Sequence, residues 1–315
     1  MNTFLHHEGA LGDVMLSLPC LRRLAGGTVH FAGRPDVGAL LRELCIVGEA
    51  SSSGSTRYAP LQAGTVEGEL RAFLGRFGRA VVFTVDPAGP LVRALRDAIP
   101  EMQVIVTVPP AGSAVPAAAF RLSQLGGEAT DAPGQLLPVP PLHRELAAGM
   151  LGRAGHDGTH LLLAVHPGSG GASKRWPLEN FLAVIEQLRE RFDPFLLLLS
   201  GPAEDDAFKD RLDGFVRGRA GAVHYADADL LAVAALLSQA DLYLGNDSGV
   251  THLAAAVGCP VLALFGPTDP AVWGPAGAGV TILRAPDWEG LTVADVASRI
   301  TAILSGRLRT GGEGR

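Results

Sequence analysis

Three short stretches combine residue types that can do chemistry. HPGSGGASKRWP, residues 166–177, sets Gly168, Ser169, Gly170 and Gly171 ahead of Lys174. Glycines clear side chains from a backbone that an anion could approach, and successive N–H groups can form a concave nest. Ser169 adds a hydroxyl and Lys174 a positive point charge. The plain alternative is a surface turn with a solvated lysine, and Trp176 reads as a packing anchor. GNDSGVTHLAAAVG, residues 245–258, makes a turn at Gly245-Asn246-Asp247 and opens a helix at Ser248-Gly249. A helix N-terminus with small entry residues is a ready anion site. Thr251 and His252 fall in its first turns, and His252 shares a face with Ser248; a structural histidine is the alternative. Asp247 could bond a hydroxyl or cap the helix. HEGALGDVMLSLP, residues 7–19, carries Gly9, Gly12 and Asp13 without the G-x-G-x-x-G dinucleotide spacing. Asp13 is either a helix N-cap or a general base that takes a hydroxyl proton.

All three stretches follow apolar runs that read as buried strands. In the first half those runs are TFLHH, TVHFAG, AVVFTV and MQVIVTV; in the second, HLLLAVH, PFLLLLS, AVHYA, DLYLG, PVLALFG and VTILR. Helical patterns separate them, among them GDVMLSLPCLRRL, and PLENFLAVIEQLRERF with Phe181, Val184, Ile185 and Leu188 at three-to-four spacing. Strand–helix alternation predicts an α/β fold of parallel sheets, in which ligands bind beyond the carboxyl ends of the strands. A Pro-rich stretch at 128–142, EATDAPGQLLPVPPL, reads as a linker. Two doubly wound domains, 1–142 and 143–315, facing each other across a cleft are therefore expected. A polar Gly-rich tail follows the last helix.

Bulk composition narrows the functional class. The chain has 315 residues, 47% hydrophobic and 18% charged, with a formal net charge of -6. That fits two packed domains and argues against disorder or a nucleic-acid partner. The N-terminus lacks a signal-peptide pattern and no run has the length of a membrane span. Cys20, Cys45 and Cys259 are too few and too scattered for a disulfide framework or a zinc site, so a reducing cytoplasm is expected.

The stretches LGDVMLSLPCLRRL, GRPDVGALL, HPGSGGASKRWPLENF, GPAE (201–204) and GNDSGVTHLAAAVGCPVLALFGPTDP, with Trp273-Gly-Pro, resemble the family 9 glycosyltransferases. These are the ADP-heptose:lipopolysaccharide heptosyltransferases and their relatives. The resemblance implies a GT-B fold with the nucleotide sugar on the C-terminal domain and the acceptor on the N-terminal one. It implies inverting transfer of a heptose from ADP-heptose to a lipopolysaccharide core sugar or other glycan. By the same resemblance Asp13 is the base and Lys174 stabilises the diphosphate leaving group. Ser169 and Gly170 lie near the phosphates, Glu204 contacts the nucleoside, and Asp247, Ser248, Gly249 and His252 form the diphosphate-side loop. Work at the cytoplasmic face of the inner membrane, with peripheral contact to its surface, would follow.

No cofactor is implied beyond the donor substrate, and no metal is required, since no Asp-x-Asp pair sits in a suitable loop. Asp205-Asp206 fall on a helix, and Asp227 and Asp229 start the next one. Departures cluster on the acceptor side. VVFTVDPAGPLVRAL stands where relatives often carry an Asp-Leu-x-Gly-type stretch, and His6-His7-Glu8 where many carry a basic residue. Gly12, Arg34 and Arg93 are the acceptor contacts that can be named. A related transferase using another nucleotide sugar or a protein acceptor is the alternative, and a non-catalytic nucleotide-sugar binder a more distant one.

Overall fold

A computed structural model of the chain describes residues 1–24, 28–127 and 137–310. It divides into two units, Met1–Pro138 and Val139–Arg315. The first unit runs β1 (Thr3–His7), α1 (Leu11–Leu16), α2 (Leu18–Leu24), β2 (Val29–Gly33), α3 (Pro35–Glu43) and β3 (Glu49–Ser52). It continues with α4 (Ala59–Gln62), α5 (Gly68–Leu74), β4 (Arg79–Thr84), α6 (Pro90–Ala98), β5 (Glu101–Val106) and α7 (Ala117–Ser123). The second unit opens with α8 (Pro141–Arg153), β6 (Leu162–His166), α9 (Leu178–Phe192), β7 (Phe195–Ser200), α10 (Asp206–Val216) and β8 (Ala222–Ala226). Then come α11 (Leu230–Leu237), β9 (Leu242–Asn246), α12 (Gly249–Ala256), β10 (Val261–Phe265), α13 (Pro270–Trp273), β11 (Val280–Arg284) and α14 (Val293–Thr310).

Both sheets are wholly parallel and doubly wound. Strand order is β3-β2-β1-β4-β5 in the first and β11-β10-β9-β6-β7-β8 in the second. The order reverses between β1 and β4 and between β6 and β9, and a doubly wound sheet opens a crevice at such a reversal. Continuous apolar strands such as β6 and β7 are buried on both faces, as a helix-covered parallel sheet requires. Helix α9 lays Phe181, Val184, Ile185 and Leu188 into the same core as Trp176 and Leu264. In the first unit Phe4, Val82, Leu70 and Leu95 anchor the corresponding cluster.

Some elements differ from expectation. Strand β3, EASS, has no apolar run to announce it. It is an edge strand that pairs in parallel with β2, and His30 adds side-chain contacts, 2.9 Å to Glu49 Oε2 and 2.8 Å to Ser51 Oγ. The helix expected over 12–24 is two helices broken at Ser17, because Pro19 has no N–H to give the carbonyl four residues back. Strand β9 runs through Asn246, so the turn begins at Asp247. Of the expected linker, 128–136 lie outside the described residues, as does the tail from 311; Pro141 and Leu142 already belong to α8.

Candidate functional site

In the second unit the loops after β6 and β9 meet at the switch point. Asn246 fastens them: its Nδ2 donates to the Pro167 carbonyl at 2.8 Å, and its Oδ1 accepts from the Trp176 N–H at 3.1 Å. Ser169, only 2% exposed, donates its hydroxyl to the Asp247 carbonyl at 2.7 Å. That hydroxyl is engaged within the protein, so what residue 169 can present to an anion is its backbone. Lys174 ends a 3-10 turn, Ala172–Lys174, and sets its Nζ 2.7 Å from Asp247 Oδ2. Asp247 is buried and Lys174 is 40% exposed, so the carboxylate anchors an ammonium that faces outward.

Helix α12 starts where the sequence indicated, but its N-cap is Ser248, which accepts from the Thr251 N–H, not Asp247. Gly249 opens the helix, leaving its first backbone N–H groups toward the loop end. Thr251 donates to the Asn246 carbonyl, and His252 is buried within the helix. Asp205 and Asp229 cap α10 and α11, and Asp227 pairs with Lys209. Among the described residues no group of three or more His, Cys, Asp or Glu side chains could hold a metal ion.

Glu204 lies on the neighbouring loop after β7. Its Oε2 accepts from the Gly201 N–H at 2.8 Å, and His166 Nε2 stands 3.7 Å away. Burial alone would raise this carboxyl, but His166, the Gly201 amide and Arg175 together hold it below the ordinary carboxylate value. Among the described residues, Glu204 Oε1 and His166 Nδ1 are buried with no hydrogen-bond partner, and Arg175 Nη2 stands 3.8 Å from that Oε1. The three loop glycines are not alike. A Cβ at Gly168 would fall 2.1 Å from Glu204 Oε1, whereas one at Gly170 would meet nothing within 4 Å. Gly168 therefore makes room for Glu204, and Gly170 leaves open space above the loop.

In the first unit the equivalent crevice, at the ends of β1 and β4, is a pocket of about 360 Å³ lined by His7, Glu8, Asp13, Thr84, Asp86 and Val108 among others. Asp13 sits in the first turn of α1, whose N-cap is Ala10, so it does not cap the helix. Its carboxylate is instead gripped by Arg121 of α7, which is wholly buried: Nη2 reaches Asp13 Oδ1 at 2.9 Å, Nη1 reaches Ser17 Oγ at 3.0 Å, and Nε reaches the Thr107 carbonyl at 2.9 Å. His7 completes the support. It accepts the Gly9 N–H at Nδ1, leaving Nε2–H to donate to Ser17 Oγ at 3.0 Å. Burial, with Arg121 and His6 alongside, pushes the His7 imidazole down to about 3, so it is neutral at physiological pH. Of the candidate acceptor contacts, Gly12, Arg34 and Arg93 do not line the pocket. Arg34 forks onto Asp36, and Arg93 donates to the Ala88 carbonyl.

Sequence reasoning missed Arg121, Asn246, His166 and Arg175. Arg175 donates to the carbonyls of Ser169 and Ala203 at 2.8 and 2.9 Å, tying the glycine loop to the Glu204 loop. Its position beside Lys174 in a glycine loop was the one available signal. Trp176 is the packing anchor expected: it is buried, edge-on to Phe181, and donates to the Leu291 carbonyl.

Two doubly wound units, each with polar loops gathered at its switch point, make a fold of the GT-B class. The same fold is seen in Escherichia coli ADP-heptose lps heptosyltransferase II, with a TM-score of 0.77 at 19% identity, over 98% of this chain and 99% of that one. It recurs in a family 9 glycosyl transferase from Veillonella parvula, with a TM-score of 0.74 at 17% identity over 97% of each chain. The model of glycosyltransferase family 9 (heptosyltransferase) matches residues 137–298, just over half the chain. The chain belongs to that family. Among named relatives, lipopolysaccharide heptosyltransferase 3 of Escherichia coli is 31% identical over 149 residues, 45% of this chain. Lipooligosaccharide heptosyltransferase 2 of Haemophilus influenzae is 32% identical over 132 residues, 39% of this chain. The chain spans 42% and 36% of those two relatives' own lengths.

Proposed function

We propose that the chain is an inverting heptosyltransferase that moves a heptose from ADP-heptose to a hydroxyl of a lipopolysaccharide core sugar. The observation that carries this is the Lys174–Asp247 pair, set where the glycine loop and the start of α12 converge on one sheet edge. A diphosphate lying there meets backbone N–H groups from two loops and one ammonium, and negative charge building on it as it leaves is stabilised. Glu204, with an unpartnered oxygen beside Gly168, suits the nucleoside. The relatives, lipopolysaccharide and lipooligosaccharide heptosyltransferases, and the like-folded E. coli heptosyltransferase WaaC solved with ADP, at a TM-score of 0.69, support the donor.

The first unit takes the acceptor. Asp13, with Oδ1 held by Arg121, has Oδ2 to receive the acceptor's hydroxyl proton. The freed oxygen attacks the anomeric carbon from the face opposite the diphosphate, the sugar–phosphate bond breaks, and the configuration inverts. The chain would work from the cytoplasmic face of the inner membrane. ADP release from ADP-heptose, followed with saccharide acceptors for wild type and Asp13→Ala, tests the scheme. Asp13→Ala should lose nearly all turnover; normal turnover removes Asp13 as the base. A strong preference for a uridine- or guanosine-linked sugar would favour a related transferase with another donor.

A further inference from the structure

The pocket beside Asp13 is acidic. It exposes three carboxylates, Glu8, Asp13 and Asp86, and neither lysine nor arginine lines it. The eleven arginines of the unit all lie outside the pocket's lining. Residues 1–138 contain no lysine, and the stretches 25–27 and 128–136 contain neither lysine nor arginine. Arg121 is wholly buried with its donors on Asp13, Ser17 and Thr107, Arg34 is forked onto Asp36, and Arg93 is turned to the Ala88 carbonyl. Neutral His7 adds no positive charge, and His6 lies 3.5 Å from Glu8. Much of the remaining wall is uncharged, with Phe83, Thr84, Val85 and Thr107 among it.

We propose that the acceptor sugar is uncharged around the hydroxyl it presents, and that this pocket discriminates against sugars bearing a carboxylate or phosphate there. The inference rests on Asp13 being the base. An anionic substituent beside Asp13 would lose water, meet no counter-ion from the pocket wall and face like charges. A neutral polyol instead donates its hydroxyls to those same carboxylates, giving charge-assisted hydrogen bonds. The acidic groups thus bind one class of sugar and repel the other, as specificity by opposing charge requires.

The test uses matched saccharides: a neutral hexose or heptose methyl glycoside, and the same glycoside with a phosphate monoester or carboxylate beside the accepting hydroxyl. Transfer from ADP-heptose should show kcat/KM higher for the neutral member by about tenfold or more. Asp86→Asn and Glu8→Gln should narrow that gap. Calorimetric titration of each saccharide into the wild-type protein should give the same order of affinity without turnover. Equal or better use and binding of the acidic member overturns the proposal. Wild-type turnover by Asp13→Asn would instead remove the base assignment, while the titrations still report the pocket's preference.

Discussion

Arg121 and Asp13, 108 residues apart in sequence, meet at 2.9 Å between Nη2 and Oδ1. The arginine is completely buried and the aspartate side chain is 42% exposed, so the pair is anchored at one end and presented at the other. One carboxylate oxygen is thereby fixed, and the direction of the second follows.

Arg121→Met should lower kcat by about a hundredfold, the scale of a small misplacement of a reacting group, while KM for ADP-heptose stays near wild type. Arg121→Lys should recover part of kcat. The Thr107 carbonyl and the Asp13 carboxylate oxygen that lose their donor should also cost Arg121→Met about 2–4 kcal/mol, seen as a lower urea midpoint. Matching losses of kcat in both variants would point to a structural role alone.

Lys174→Ala should lower kcat by about 10²–10³-fold and weaken ADP binding far less, because the ammonium acts most on charge that develops as the diphosphate departs. Steady-state rates set beside calorimetric ADP affinity separate the two effects. Equal losses would contradict a leaving-group role.

Gly168→Ala must push a methyl to within 2.1 Å of Glu204 Oε1, so the carboxylate has to move. ADP affinity should fall about tenfold and stability by about 1–3 kcal/mol. Gly170→Ala, with nothing within 4 Å of its new methyl, should keep the wild-type melting temperature. A Gly168→Ala protein with unchanged stability and ADP affinity would show that Glu204 is not held there.

His7 predicts an acid-sensitive fold. The unfolded chain protonates it near 6.5, but in the folded state its pKa is lowered to about 3. The unfolded state therefore binds the extra proton first, and stability is lost as pH falls from about 6.5 toward 3, by up to about 5 kcal/mol in full. Urea midpoints measured from pH 7 to 4.5 should fall less steeply for His7→Gln than for wild type. Parallel curves would mean that His7 is not the group responsible.

Ten of the eleven strands among the described residues could be read from apolar runs, because a helix-covered parallel strand is apolar on both faces. Strand β3 could not, since its short polar run EASS takes its place only by pairing with β2, with His30 on that strand contacting Glu49 and Ser51. Within the candidate site, Lys174, Asp247 and Ser248 announced themselves by lying in glycine-bearing turns after strands. Asp247 is the cap the sequence suggests, and the backbone geometry gives that role to its neighbour Ser248. Arg121 left no local trace: it sits in an unremarkable helix, AAAFRLS, and its meaning depends on a contact made through the tertiary fold.

Asn246 gives the glycine loop a property its own composition denies it. Ten residues that would wander as a free chain, from Pro167 to Trp176, are pinned at both ends by one amide on the adjacent strand. The conformational entropy of closing that loop is surrendered when the sheet forms. On the proposed function, a diphosphate would meet a cradle already built, and its binding energy would be left for the chemistry.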